Sequence, residues 1–152
     1  IKEPGRTSDA LVGQVDLLAT FAEITGTALP ENAGEDSVSF AKVLTDAGVV
    51  HERLPLINHG VNGRFSITEG NWKLILEHKK EKLELYDLAA DPGEESNVIA
   101  EHPGVVKSLT EKISDIVIRG RTTPGAVQSN DTGYWKDLTW IAEADYAAGQ
   151  AK

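Results

Sequence analysis

The side chains of this sequence best suited to acid-base or metal chemistry near pH 7 are four histidines, His51, His59, His78 and His102. No two of them stand at the i, i+4 spacing that puts two ligands on one helix face, and the chain has no cysteine to complete a zinc set. The spacing therefore predicts no metal centre. His78 lies in the charged run "HKKEK" and is expected to be solvated, and His102, just ahead of a helix, is expected to order a turn. His59 differs, because "NHGVNGR" puts it where a strand runs into a glycine-bearing loop, a rim position from which binding side chains project, so the residues leave it either a pocket role or a structural hydrogen bond. Clustered carboxylates occur in "GED", "ADPGEE" and "SND". Acids in turns face solvent, and nothing beside them would raise a pKa toward general-acid duty. Asp91-Pro92-Gly93 reads as a tight bend, with Asn97 bonding back to backbone. Trp72 and Tyr86 lie on strands, where sheet packing accounts for them.

The elements that must position these groups follow from periodicity. "VDLLATFAEITG" has a helical period, with Asp16, Thr20 and Glu23 as a narrow polar stripe and Leu17, Leu18, Phe21, Ala22 and Ile24 filling the other arc. This predicts a mostly buried helix over about 16–25, capped by Asp16 and stopped by Gly26. A loop rich in turn formers follows, and then a short helix behind Ser39 with Phe40, Val43 and Leu44 inward. From residue 54 the period changes to two. "LPLINH" reads as a strand, "RFSITEGNWKLILE" as a hairpin turning at Glu69-Gly70-Asn71, and "LELYDL" as a further strand. Val106, Leu109, Ile113, Ile116 and Val117 then recur at helical spacing behind Pro103, which suits a first helical turn, and this helix is expected to cover the apolar sheet face.

The fold class expected is α+β: a small antiparallel sheet of about four strands packed by a C-terminal helix, preceded by a helix left over from a larger α/β sheet domain. Three regions are expected: 1–50 as the remnant of the larger domain, 51–120 as the sheet and helix, and 121–152 as an extended tail. At 152 residues the chain could bury roughly 70% of its unfolded surface. Its net charge of −9 would repel a phosphate backbone, so nucleic acid is not an expected partner. No apolar run approaches the roughly 18 residues of a membrane-spanning helix. The opening "IKEPGRTSD" has no initiator methionine and reads like the exit of a strand, so the chain is expected to be part of something longer.

Four stretches in order carry a resemblance: "GRTSDALVGQVDLLATFAEITG", "NHGVNGRFSITEGNWKLI", "LYDLAADPGEESNV" and "IRGRTTPGAVQSND". Together they resemble the C-terminal portion of sulfatases of the arylsulfatase type, within the alkaline-phosphatase-like superfamily, over most of residues 5–131. The resemblance implies an exported parent enzyme that hydrolyses aryl or carbohydrate sulfate esters with a formylglycine beside a bound calcium ion. Neither the Cys/Ser-x-Pro-x-Arg motif nor the calcium ligands stand in this sequence, so the chain alone is expected to be inactive, with no catalytic or metal-ligating residue and no cofactor of its own. The implied partners are the N-terminal catalytic portion and a sulfated small molecule or glycan. By the same resemblance His59 faces the substrate end of the cleft, with Asn58 beside it as the second substrate-binding residue. Asn58 stands where relatives carry a second histidine, Gly60 where serine is common, Thr68 where an arginine is frequent and Ala19 for a frequent proline. These departures bear on substrate identity and leave the fold reading intact. A noncatalytic glycan-binding or interaction module and a phosphodiesterase-type relative are the alternatives.

Overall fold

Alternation of apolar and polar side chains over 65–76 folds the chain back on itself at Gly70-Asn71, and this hairpin organises the larger of two units. The computed structural model describes residues 1–79, 81–130 and 133–151. Lys80 of the charged connection and Asp131 of "SND" lie outside the described residues. One unit comprises residues 1–56 and 121–126, the other 57–120 and 127–152.

In the second unit β1 (Leu56–His59), β2 (Phe65–Glu69), β3 (Trp72–Ile75) and β4 (Glu84–Asp87) follow one another across a single sheet in the order β1-β2-β3-β4. The β2–β3 and β3–β4 pairs are antiparallel. Register puts Ile67 opposite Leu74 and Leu74 opposite Leu85, a row of three side chains with no exposed surface. A one-residue slip would turn that row to the other face, so the pattern itself fixes the pairing. The helix Pro103–Arg119 covers the row with Leu109 and Ile113, one turn apart on one face. Each of these side chains contributes about 1.5–3 kcal/mol by leaving water. Pro103 occupies the first helical turn, and Gly120 ends the helix in the left-handed conformation that a side chain would disfavour.

The stretch "LELYDLAADPGEESNVIAEHP" runs from β4 through an acidic bend to the start of the helix. Asp91 accepts backbone hydrogen bonds from Ser96 at 2.8 Å and Glu95 at 3.1 Å, which closes the bend. These bonds hold its carboxyl below the usual carboxylate range. Asn97 accepts from Leu85 and Ile99, both at 3.1 Å, so the side chain ties the bend to β4 and to the approach of the helix. Glu94 pairs with Lys73 of β3 at 2.6 Å. The stretch is scaffold.

Trp72 is half-buried, with its ring 4.8 Å from that of His102, whose backbone carbonyl accepts from Val105 and Val106 at the start of the helix. Trp72→Ala should therefore cost about 2 kcal/mol, roughly half the loss for a fully buried indole. Urea unfolding followed by circular dichroism measures this, and a loss below about 0.5 kcal/mol would mean that the ring packs against nothing that matters.

Residues 121–152 were expected as an extended tail, but residues 143–150 form a helix, and Leu138, Ile141 and Tyr146 make a second buried cluster. Numbered in chain order, the helices are α1 (Leu17–Thr25), α2 (Ala41–Thr45), α3 (Pro103–Arg119) and α4 (Glu143–Gln150). The sequence of α4, EADYAAGQ, has one large apolar side chain, too few to show a helical period.

In the first unit α1 stands where the periodicity places it, behind a 3-10 turn at Gln14–Asp16 and ended by Gly26. Its orientation is the reverse of the expected one. Asp16 and Thr20 are fully buried, while Leu17, Leu18, Phe21 and Ile24 are 40–59% exposed. The polar stripe is a hydrogen-bonded seam: Thr20 Oγ1 accepts from the Phe40 amide at 3.1 Å, and Ser37 Oγ accepts from the Ala19 amide at 2.8 Å. Asp16 makes no side-chain cap of α1. Its carboxylate turns back to accept from Gly13 at 2.8 Å and across to accept from Val38 at 3.0 Å, and Ser37 takes the first-turn donor instead. In α2, Val43 is buried as expected, and Ser39 Oγ accepts from the Ala41 amide at 3.2 Å.

Candidate functional site

Asn58 and His59 end β1, and both are exposed. Alternation along the strand puts His59 on the face shared with Ile57, which packs on the core, and Asn58 on the opposite face. The two neighbours in sequence thus project to different sides of the sheet. The His59 ring stacks on Phe65 of β2, with centroids 4.3 Å apart and planes 13° from parallel. Trp135 meets His59 edge-on at 5.2 Å and Phe65 at 5.7 Å, and Trp140 meets Phe65 at 5.4 Å. His59 therefore stands as an exposed imidazole held by aromatic contacts on two sides.

The loop after His59 is closely specified. Gly60 donates to the Arg64 carbonyl at 2.7 Å and Gly63 to the Gly60 carbonyl at 2.9 Å, while Arg64 donates its amide to Asn62 Oδ1 at 3.2 Å. Arg64 anchors the loop through Nε to the Leu76 carbonyl at 2.9 Å, through Nη1 to Glu84 at 3.2 Å and through Nη2 to the Lys82 carbonyl. Asn62 reaches Glu81 at 3.3 Å.

His78 lies beneath this loop and corrects the expectation of a solvated side chain, for it is 3% exposed and neither ring nitrogen has a hydrogen-bond partner among the described residues. Its backbone pairs with Glu81, which turns the ring inward although its sequence neighbours are charged. A Cβ on Gly63, whose φ is +90°, would stand 3.1 Å from His78 Cε1. Glycine is thus required there both by conformation and by the ring below. His51, in the first unit, also has a buried Nε2 without a partner among the described residues. Of the expected carboxylate clusters, Asp36 accepts from the Thr122 amide at 2.8 Å and hydroxyl at 2.6 Å within the first unit, a structural role. Burial followed by a 3.1 Å hydrogen bond to Glu84 raises the Tyr86 phenol above its usual value, which keeps it neutral.

Among the described residues no three of His, Asp or Glu come together as a metal site would require. No helix among them is long and apolar enough to cross a membrane.

Residues 1–119 match the family model described as "N-sulphoglucosamine sulphohydrolase, C-terminal". The chain belongs to this family of sulfatase C-terminal regions. It is 31% identical over 124 residues to an N-acetylgalactosamine-6-O-sulfatase of Bacteroides thetaiotaomicron, an alignment covering 72% of this chain and 24% of the relative. It is 30% identical over 142 residues to arylsulfatase K of Mus musculus, covering 84% of this chain and 25% of that one. A solved sulfatase structure from work on glycosaminoglycan metabolism by Bacteroides thetaiotaomicron superposes with a TM-score of 0.58 at 30% identity, over 70% of this chain and 25% of that one. The chain spans about a quarter of the length of these sulfatase relatives.

The family match ends at residue 119. Trp135 and Trp140, which shape the surroundings of His59, lie beyond it, and sequence reasoning missed both because the aromatic residues there follow no period. The α+β sheet, its covering helix and the sulfatase assignment agree with the sequence reading.

Proposed function

We propose that this chain is the C-terminal part of an enzyme that hydrolyses a sulfate ester of a glycan, and that His59 is its contribution to the substrate end of the cleft. Membership of the sulfatase family over residues 1–119 carries the reading. The relatives named for a sulfated amino sugar and for glycosaminoglycan metabolism favour a carbohydrate sulfate over a simple aryl sulfate. A calcium ion and a formylglycine would belong to the whole enzyme. The residues of this chain do not fit either: it has no cysteine, none of its serines stands in a Ser-x-Pro-x-Arg setting, and the described residues offer no ligand cluster.

The chain's own part is binding. An imidazole stacked on Phe65 and bounded by Trp135 has a restricted plane, so its outward ring nitrogen can donate to or accept from a sulfate oxygen or a sugar hydroxyl with little further loss of rotamer freedom. Asn58, on the other face of β1, would reach substrate only from that side, through its amide. The exposed apolar face of α1, made by Leu17, Leu18, Phe21 and Ile24, fits a cover supplied by the part of the parent polypeptide outside this chain. That part is also where nucleophile and calcium would be held.

The test is steady-state kinetics of the full-length protein on 6-O-sulfated hexosamines and a chromogenic aryl sulfate, with and without His59→Ala. One hydrogen bond to a charged group corresponds to roughly ten- to hundredfold in kcat/KM, and that loss is expected on the sulfated sugar with the melting temperature nearly unchanged. Unchanged kinetics with a large fall in melting temperature would make His59 structural. Absence of turnover on every sulfate ester, with retained binding of the sulfated sugar, would turn the reading to a glycan-binding module.

A further inference from the structure

His59 is exposed, yet its ring is held on two sides, and one of the two holding groups comes from outside the stretch that matches the family. Phe65 belongs to the sheet; Trp135 belongs to residues 133–141, beyond the end of the match at 119. That segment is itself firmly built. The Tyr134 hydroxyl donates to the Ile141 carbonyl at 2.9 Å, the Thr139 hydroxyl donates to the Glu77 carbonyl at 3.3 Å, and Leu138 and Ile141 are buried with Tyr146 of α4. The Trp135 ring lies edge-on to His59, 80° from its plane, and also meets Phe65, so the indole closes one side of the arc through which the imidazole could swing off Phe65. Without Trp135 the stack on Phe65 would be the one aromatic contact left to His59 among the described residues, and a single offset stack favours its rotamer by only about two- to twelvefold, so the ring would sample other orientations more often.

We propose that Trp135 is a positioning residue that fixes the orientation of His59, and that the segment after α3 thereby tunes how the site receives a sulfated sugar. The inference rests on the reading of His59 given above. It also states where specificity would differ among relatives that share residues 1–119: in a segment that sets the histidine's plane without touching substrate.

Two measurements test it together. In the 152-residue chain, nuclear magnetic resonance of the His59 ring protons reads the ring currents of Phe65 and Trp135. Trp135→Ala should move those signals and broaden them, while Trp135→Phe, which keeps an aromatic edge, should restore most of the original shift. In the full-length enzyme Trp135→Ala should lower kcat/KM on the sulfated sugar by about tenfold, mainly through KM, and Trp135→Phe should recover most of the loss. In a His59→Ala background Trp135→Ala should have almost no further effect, since a residue acting through His59 has nothing left to act on. Unmoved His59 signals, or an equal loss with and without His59, would overturn the proposal while leaving His59 in the site. If His59→Ala alone is kinetically silent, the reading of the site falls, and the resonance shifts still decide whether Trp135 orients the ring.

Discussion

Replacing Asp16 by alanine is expected to cost the first unit about 3–5 kcal/mol, the loss that follows when one partner of a buried ion pair is removed and the other is left uncompensated. The Arg53 and Asp16 side chains are 1% and 0% exposed, and the guanidinium grips the carboxylate with two bonds, Nε to Oδ2 at 2.9 Å and Nη2 to Oδ1 at 2.6 Å. Asp16 also accepts from Gly13 and Val38, and Arg53 also donates to the carbonyls of Leu54 and Pro55, so one pair joins the segment before α1, the loop before α2 and the approach to β1. Asp16→Ala leaves a buried guanidinium facing no anion. Replacing both residues with apolar ones of similar volume, Asp16→Leu with Arg53→Met, should recover much of the loss, because the pair then leaves no orphan charge. All three tryptophans lie in the second unit, so fluorescence would not see the change. Hydrogen exchange at the Gly13 and Val38 amides, which donate to the missing carboxylate, does see it, and unchanged protection of both would sink the assignment.

The same group sets an acid limit. Burial raises the pKa of Asp16, but the bonds from Arg53, Val38 and Gly13 and the charge of Arg53 outweigh it, and the folded value lies below the ordinary one. A carboxyl depressed by folding contributes its full stability above the unfolded pKa of about 3.9 and loses it as pH falls through the folded value. The first unit should accordingly keep its amide protection at pH 5 and lose it progressively below about pH 4, and Asp16→Asn should remove that part of the acid dependence.

How much of this could be read beforehand depended on whether the deciding interaction lay within a single element. Ile67, Leu74 and Leu85 announce a sheet because each strand must alternate to bury them, and Leu109 and Ile113 announce the covering helix for the same reason. The span of α1 was equally legible, with its face reversed. Periodicity reports that one arc is apolar and another polar; it does not report what lies against either. Asp16 and Thr20 are an inward seam because the loop at 36–40 brings the Val38 and Phe40 amides to them, while Ser37 of that loop accepts from the Ala19 amide, pairings at a sequence separation no local pattern carries. His78 was misread through its company, since in "HKKEK" Lys79 and Lys82 are exposed while the histidine is buried. At the site, His59 was legible as a strand-end residue ahead of a glycine loop. Trp135, which meets its ring, and Trp140, which meets Phe65, were not, because they arrive from a segment with no period, some 75 to 80 residues downstream.

The reversed face of α1 leads to the other large expected effect, one that depends on how much of the polypeptide is present. Phe21 is 58% exposed in this chain, so Phe21→Ala here should change stability by no more than about 0.5 kcal/mol. The reading proposed above assigns Leu17, Leu18, Phe21 and Ile24 a cover in the rest of the parent. In the longer protein the same substitution should then cost about 3–5 kcal/mol, the loss for truncating a buried phenylalanine. The comparison is internal, because helix propensity and denatured-chain effects are common to both backgrounds, so the difference between the two losses isolates the cover. Equal small losses in chain and parent, read as midpoints of urea unfolding with unchanged slopes, would mean that the face stays open in the parent and that some other surface joins this C-terminal part to the remainder. A large loss confined to the parent would instead explain why a helix so apolar on one side keeps its polar residues inside: the seam through Asp16 and Thr20 orients α1 so that its apolar face is presented outward, ready to be covered.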